Sequence, residues 1–265
     1  MSTEQRGIGS VEVGGQLLRV LTECAGPMML RDLAHSAGMT AAKAHPYLVS
    51  FVRLGLVEQN RGTGRYELGP LALQMGLASM RRLDPVRIGS EAIADLVLSI
   101  NQTVSLSIWG NHGPTVIRIE EGTGAVHVNM RVGSIMSLLG TATGRVFAAF
   151  LPPKMIETFI ASGVGGASVG DDAANRMSRK QIDAAVAEVR EKGLSRAVER
   201  PIPGVNAFSA PVFDHSGSIA LAITAIGPSS NFDASWESPI AAELCKCAAT
   251  VSGRLGFSAR SNEAA

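Results

Sequence analysis

The sequence predicts an α+β protein built from two domains. Its 265 residues exceed the usual size of one domain, and a composition of 46% hydrophobic and 18% charged residues supports buried cores and excludes bulk disorder. Apolar residues follow helical spacing through the first eighty positions, whereas helices alternate with strand-like segments from Pro85 onward. We therefore expect domains at 1–69 and 85–257, joined by a helix over 70–84 and followed by a disordered tail over 258–265.

The composition also limits the kinds of site to expect. No apolar run approaches the ~18 residues of a membrane span, and the first ten residues are polar, so a cytoplasmic protein without membrane contact is expected. The three cysteines and five histidines are scattered without ligand spacing, so we predict reduced thiols and neither a metal nor a cofactor.

The first domain shows the order of a winged helix-turn-helix. Val13, Leu17 and Leu21 define a first helix, and the apolar residues over 30–37 define a second. After the break at Gly38, Thr40 can cap a third helix that ends at Gly55. Two short strands, 56–59 and 65–68, then flank a glycine turn, which completes the wing.

A helix of this type that buries one face leaves the other free to enter a DNA groove. Its outward side carries Ala42, Pro46, Val49, Ser50 and Arg53, and cationic side chains at the wing tip suit phosphates. The predicted DNA-binding residues are Thr40, Ala41, Ala42, Lys43, His45, Ser50, Arg53, Arg61, Thr63 and Arg65.

The pattern alone leaves an alternative open. Three amphipathic helices and a hairpin also suit a protein-interaction or dimerisation module. The formal charge is +3 over residues 1–82 and −2 over the remainder, which is compatible with nucleic acid but weak support by itself.

The pattern of the second domain predicts a sheet flanked by helices. The predicted strands lie at 104–108, 116–119, 126–128, 194–198, 206–213 and 219–226. Predicted helices include 88–100, a small-residue helix after Gly140, one opened by the capping box at Ser178 and one over 240–255. We read 70–82 as the connecting helix, whose apolar residues pack on a partner subunit.

Motifs of catalysis are missing from the sequence. The glycine-rich run 163–168 lacks the third glycine of a dinucleotide fingerprint, and no phosphate-binding loop occurs. Ser209 is not in a nucleophile elbow, and the consecutive Glu120 and Glu121 point to opposite faces of a strand. We therefore do not expect an enzyme.

Several segments together resemble one family. They are 38–45, Tyr47-Leu48, 55–57 and 66–69, with further similarity over 133–151 and 211–228. In this order and spacing they resemble the isocitrate lyase regulator (IclR) family of bacterial transcription regulators. The resemblance implies a winged DNA-binding domain and a GAF/profilin-like domain that binds a small metabolite.

One departure from the family lies in the third helix. The family usually has a basic residue after the histidine of this helix, and this chain has Pro46. Proline lacks the N–H that would reach the Ala42 carbonyl, so either the helix kinks there or it begins at Pro46. The operator sequence cannot be carried over from relatives.

The resemblance also implies an effector pocket. Its candidate residues are Val128, Met136, Thr141, Ala142, Thr143, Gly144, Ala197, Ala207, Thr224 and Ile226. Relatives that bind small hydrophilic acids have an acidic residue, a cysteine and serines where this chain has Ala197, Ala207, Thr224 and Ile226. Loss of those polar groups predicts a larger or more apolar acid, such as an aromatic one, whose carboxylate meets the 141–144 turn.

We thus expect a homodimeric or tetrameric repressor or activator of catabolic genes that binds double-stranded operator DNA and responds to an organic acid. Two alternatives remain at this point. The second domain could serve only oligomerisation, which would leave a constitutive DNA binder, or the first domain could bind protein rather than DNA.

Overall fold

The computed structural model describes residues 7–123, 130–162 and 179–258, and its chain divides into two compact units, up to Leu83 and from Asp84 onward. The strand predicted at 126–128, the capping residue Ser178 and the residues after Ser258 lie outside the described ranges. No helix within those ranges is long and apolar enough to cross a membrane.

The first unit contains four helices and a two-stranded hairpin among its described residues. They are α1 (Gly9–Glu23), α2 (Leu30–Ser36), α3 (Ala41–Leu54), β1 (Val57–Gln59), β2 (Tyr66–Leu68) and α4 (Pro70–Met80). One core holds the unit together, and it includes the fully buried Leu17, Leu33, Ala44 and Leu48. The helices predicted from apolar spacing are therefore present, and their apolar faces meet in this core.

The glycines of this unit permit its tight connections. Gly38 and Gly55 have φ of +67° and +76°, a region that other residues enter only at a cost. Gly69 lies against the backbone of Gly55 so closely that a Cβ atom would collide with it. The C-terminal end of α3 and the start of α4 are therefore held together around the base of the hairpin.

The second unit is a five-stranded antiparallel sheet between two layers of helices. Its elements are α5 (Pro85–Ile100), β3 (Thr103–Gly110), β4 (Gly113–Glu120), α6 (Ala142–Phe150), α7 (Pro153–Ser162), α8 (Arg179–Lys192), β5 (Ser195–Val198), β6 (Val205–Phe213), β7 (Ile219–Pro228) and α9 (Pro239–Arg254). The strand order is β4-β3-β7-β6-β5. Helix α7 was not predicted, although Pro153 at its start and the spacing of Met155, Ile156 and Phe159 are helical signals.

The two faces of this sheet differ in chemistry. Helices α5 and α9 cover an apolar face, where Gly89 of α5 lets the helix approach Leu106 and Leu221. Helix α6 covers the other face, which carries Ser105, Thr224 and Ser209 side by side at paired positions of β3, β7 and β6. Residues at paired positions point to the same side of a sheet, so this second face is partly polar although it is buried.

Candidate DNA interface and effector cavity

Helix α3 presents an exposed face that lies opposite its buried one. Thr40 caps the helix, because its side-chain oxygen accepts a hydrogen bond from the Lys43 N–H at 3.3 Å. The predicted DNA-binding residues that are exposed on this helix are Ala42, Lys43, His45, Ser50 and Arg53, and Ala41 is half-buried. Pro46, predicted on the outward side of the helix, is also exposed. The inward face carries Ala44 and Leu48, so packing fixes which face of α3 is available to a partner.

Pro46 lies inside the helix, which runs from Ala41 to Leu54. The alternative in which the helix begins at Pro46 is therefore wrong. The proline leaves the Ala42 carbonyl without its usual helical donor, but Ala42 and Pro46 are both exposed, so that carbonyl can be hydrated. The cap at Thr40 and the buried contacts of Ala44 and Leu48 support the turns around it.

The wing is organised by Asn60 and Arg65. The Asn60 side-chain oxygen accepts hydrogen bonds from the Gly62 and Thr63 N–H groups at 2.9 and 3.0 Å, which shapes the tip. Arg61 is exposed at this tip. Arg65 is also exposed, but its Nη1 donates to the Pro27 carbonyl oxygen at 2.9 Å, so this side chain holds the wing to the loop before α2.

Helix α4 is apolar on all sides and has no buried residue. Leu73, Met75 and Leu77 are 66%, 58% and 48% exposed. An exposed apolar surface on a short helix is characteristic of a protein-protein contact.

A cavity of about 30 Å³ opens in the second unit between the sheet, the start of α6 and the loop 200–205. Its lining is Met130, Met136, Thr141, Ala142, Thr143, Ala197, Arg200, Pro201, Ile202, Val205, Ala207, Thr224 and Ile226. The structure thus brings together eight of the ten predicted effector residues. Val128 lies outside the described residues, and Gly144 is not part of the lining.

Gly144 has a structural part in shaping the cavity. A Cβ atom at this position would collide with the carbonyl oxygens of Ser137 and Leu138. The Gly144 N–H donates to Thr141 Oγ1 at 3.0 Å, so this donor is already used within the protein. The close approach that glycine allows places the start of α6 over the residues that precede it.

A chain of hydroxyl groups runs from α6 into the sheet at the wall of the cavity. Thr224 Oγ1 lies 2.8 Å from Thr143 Oγ1 and donates to Ser209 Oγ at 2.8 Å. All three side chains are at least 96% buried. Beside them, the hydroxyls of Ser105 and Ser107 are buried and have no hydrogen-bond partner among the described residues. These two orphan hydroxyls lie in the same sheet face, since Ser105 pairs with Thr224.

Two arginines near the cavity have different surroundings. Arg145 of α6 donates to the Arg196 carbonyl oxygen at 2.7 Å and to the Leu139 carbonyl oxygen at 3.3 Å, and burial lowers the pKa of its guanidinium from the ordinary value. Arginine still stays charged at neutral pH. Arg145 therefore fastens α6 to β5, whereas Arg200 lines the cavity and remains exposed to solvent.

Arg200 was not among the residues predicted from the sequence, and the backbone explains its position. Glu199 has φ of +48°, a conformation that a non-glycine residue adopts only where its surroundings impose it. Its N–H donates to Asn206 Oδ1 at 3.1 Å, and the Asn206 Nδ2 in turn donates to the Phe232 carbonyl oxygen at 3.1 Å. The chain turns at this point, directly before Arg200. The sequence did contain a signal for this site. Glu199 and Arg200 are charged residues at the end of a strand, and the Pro- and Gly-containing loop 201–204 follows them.

Other clefts of the second unit also combine apolar residues with a cation, which is Lys154 in one and Arg190 in another. The groove between α5 and α9 includes Asp95, Glu243 and Cys247, and burial, together with these two carboxylates, raises the pKa of the Cys247 thiol to about 11. Among the described residues, no group of three His, Cys, Asp or Glu side chains is placed to hold a metal ion.

Comparison with known proteins agrees with this architecture. Residues 10–61 match the model of the IclR helix-turn-helix domain, and residues 78–253 match the C-terminal domain of the bacterial transcriptional regulator IclR. Among curated proteins, the chain is 24% identical over 252 residues to the HTH-type transcriptional regulator XynR of Escherichia coli, covering 95% of this chain and 99% of that one. It is 27% identical over 261 residues to the glycerol operon regulatory protein of Streptomyces griseus, covering 95% and 98% of the two chains.

Solved structures with the same fold cover nearly the whole chain. The crystal structure of Pseudomonas aeruginosa HmgR superposes with a TM-score of 0.84 at 35% identity, covering 95% of this chain and all of that one. The Agrobacterium tumefaciens repressor BlcR has a TM-score of 0.76 at 20% identity, covering 96% of this chain and all of that one, which is evidence for the fold alone. The matched families are transcriptional regulators and not enzymes, as the sequence analysis predicted. The chain therefore belongs to the IclR family and is a DNA-binding transcriptional regulator with an N-terminal helix-turn-helix domain and a C-terminal α+β domain.

Proposed function

We propose that this regulator responds to an organic acid with a sizeable apolar body, which binds in the cavity of the second unit. The observation that carries the proposal is the lining: Met136, Ala197, Ala207 and Ile226 form apolar walls, and Arg200 supplies a cation at the edge. A carboxylate near Arg200 and the start of α6 would meet a guanidinium and the positive end of a helix dipole. The apolar body would lie against the alanines and Ile226.

The size of the cavity sets a condition on binding. About 30 Å³ holds little more than one water molecule, so an acid with a ring must widen the site. The proposed widening involves the loop 200–205, which connects β5 to β6 and forms one wall. A ligand that favours the widened arrangement shifts the population of the regulator by its differential affinity.

A panel of carboxylic acids tests this proposal by thermal shift and calorimetry on the full chain. Phenylacetate and benzoate represent aromatic acids, and pyruvate and glyoxylate represent small hydrophilic ones. A true ligand at 100 times its Kd stabilises the native state by about 2.7 kcal/mol. We expect aromatic acids to give the larger shifts, and a response confined to the small hydrophilic acids would contradict the proposal.

Arg200→Gln examines the placement of the carboxylate. Arg200 is exposed, so solvent screens its attraction, and we expect affinity for the acid to fall by roughly threefold to tenfold. The uncharged amide of the same acid should bind both proteins equally. The matched control is Arg118→Gln, which removes an exposed arginine that pairs with Glu120 at 2.7 Å on β4 and does not line the cavity.

A second function is favoured by the narrowness of the cavity. If the site never opens, the second unit serves oligomerisation and the protein binds DNA constitutively. In that case no acid in the panel changes either the thermal stability or the affinity for DNA.

For DNA contact, we propose the exposed residues of α3 and the wing tip named above. Lys43 and Arg61 are exposed cations suited to phosphates, whereas Arg65 is also tied to Pro27. Replacing Lys43 and Arg61 by alanine should weaken binding to all duplexes and make the salt dependence shallower by about one unit for each lost phosphate contact. Undiminished binding of this double variant would count against the assigned face.

We further propose that two copies associate through α4. The apolar side chains of Leu73, Met75 and Leu77 would then be covered, and two winged domains could bind symmetry-related half-sites. Light scattering should show a dimer or tetramer that Leu73→Glu weakens. A monomeric parent protein at micromolar concentration would contradict this assembly.

A further inference from the structure

The centre of the exposed face of α3 has no side chain that can donate a hydrogen bond to a base. Ala42 and Pro46, which are both exposed, lie four residues apart on this face. At about 100° per residue, their side chains point within about 40° of each other. Both present only carbon to a partner, so they cannot read a base through polar groups.

The neighbouring hydroxyl does not compensate for this. Ser50 Oγ donates to the Pro46 carbonyl oxygen at 3.0 Å, so its proton is already used within the helix. Groups that can donate lie at the margins of the face, in Lys43 and His45, and about two turns beyond Pro46, in Arg53. The apolar centre is therefore bordered by polar groups.

Such a surface suits one feature of the major groove. Among the base edges, only thymine presents a methyl group there, and apolar side chains recognise it by contact. Ala42 and Pro46 are separated by about 6 Å along the helix axis, so a helix that lies in the major groove can bring both side chains to base edges. We infer that Ala42 and Pro46 read thymine methyl groups at the centre of each half-site, while Lys43 and His45 supply the polar contacts at its border.

This inference rests on the proposed DNA face and goes beyond it, because it names the bases that the chain prefers. Where relatives usually have a basic side chain at the place of Pro46, a charged group can reach phosphate or guanine. In this chain the pyrrolidine ring replaces that contact. The expected consequence is a half-site with thymine opposite the middle of α3.

The test begins with selection of bound duplexes from a random DNA library by the full-length protein. Each thymine of the selected half-site is then replaced by deoxyuridine, which removes the methyl group and keeps the base pair. We expect one or two of these replacements to weaken binding by about fourfold each in fluorescence anisotropy at fixed salt, the value for one buried methyl-sized group. The remaining replacements should change the affinity by less than about twofold.

Pro46→Ala links the effect to the side chain. This variant restores an N–H in the helix and removes most of the ring but keeps Cβ, so it should fold and bind while its response to uracil at one position becomes smaller. Val52→Ala, which shortens another exposed apolar side chain of the same helix, should keep the full response. The double variant of Lys43 and Arg61 distinguishes the proposed DNA-binding face from the proposed preference for thymine. It tests whether this face binds DNA and does not depend on which bases are recognised.

Three results would overturn the inference. They are selected half-sites without thymine at their centre, uracil replacements that have no effect, and a uracil effect that Pro46→Ala leaves unchanged. In each case, weakened binding of the Lys43 and Arg61 variant would still support the DNA face. If that variant also binds like the parent, the proposed face itself fails.

Discussion

Replacing Thr224 by valine should destabilise the second unit, although the two side chains have nearly the same shape. Thr224 lies on β7 at the wall of the cavity, and its hydroxyl joins Thr143 of α6 to Ser209 of β6 at 2.8 Å on each side. Valine keeps the β-branched shape that a strand favours. The change therefore removes two hydrogen bonds without opening a cavity.

The size of the effect follows from burial. Ser209 is 0% exposed and does not line the cavity, so water cannot replace its lost partner, whereas Thr143 is 2% exposed but lines the cavity, where a water molecule can reach it. A buried polar group left unpaired costs about 1–3 kcal/mol, and rotation of a hydroxyl can recover part of this by finding another acceptor. We expect the free energy of unfolding to fall by about 2–4 kcal/mol.

Tryptophan fluorescence during urea unfolding measures this change in the relevant unit. Both tryptophans of the chain, Trp109 and Trp236, lie in the second unit, so the signal reports that unit. The control is Thr158→Val, because the Thr158 hydroxyl is exposed and bonds to Lys154 within α7. We expect the control to stay within about 0.5 kcal/mol of the parent.

A loss of less than about 0.5 kcal/mol in Thr224→Val would refute the reasoning. It would mean that the hydroxyl chain is not closed in solution, or that Thr143 and Ser209 find other partners at no cost.

Three further predictions concern other features. Ser105→Ala should be neutral or stabilise the second unit by up to about 1 kcal/mol in the same urea assay, because its buried hydroxyl has no partner among the described residues. A fall of more than about 1 kcal/mol in the free energy of unfolding would show that this hydroxyl has a partner. Pro46→Ala should slow hydrogen exchange of the amides in α3, since a central proline costs a helix about 3 kcal/mol; unchanged exchange would show that the surroundings already offset this cost. Alkylation of Cys247 by iodoacetamide should be slow at pH 8 and accelerate as the pH rises towards about 11, where the thiolate forms; a constant rate from pH 8 to 10 would contradict the raised pKa.

The sequence alone was sufficient for the order of the described elements apart from α7, which was not predicted. In the first unit, apolar residues at helical spacing and the cap at Thr40 placed α1, α2 and α3, because these signals are local. In the second unit, period-two alternation located β3, β4, β6 and β7 to within three residues. Eight of the residues that line the cavity were also predicted, because the family resemblance implied them.

Only the tertiary structure decided what those residues do. Thr224 and Ser209 are alternating polar residues in the sequence, and their bond to one another and to Thr143 exists because distant strands pair under α6. Arg200 reaches the cavity because Asn206 and Phe232 hold the turn before it. Gly144 was assigned to ligand binding, yet its missing side chain permits a close backbone approach.

The difference has one physical cause. Helices, strands and caps depend on interactions within a few residues, which periodicity and residue type record. Orphan hydroxyls, the tie of Arg65 to Pro27 and the volume of a cavity depend on groups brought together from distant parts of the chain. The sequence therefore determined the elements and the family, and the packing of those elements decided which side chains are left free to bind.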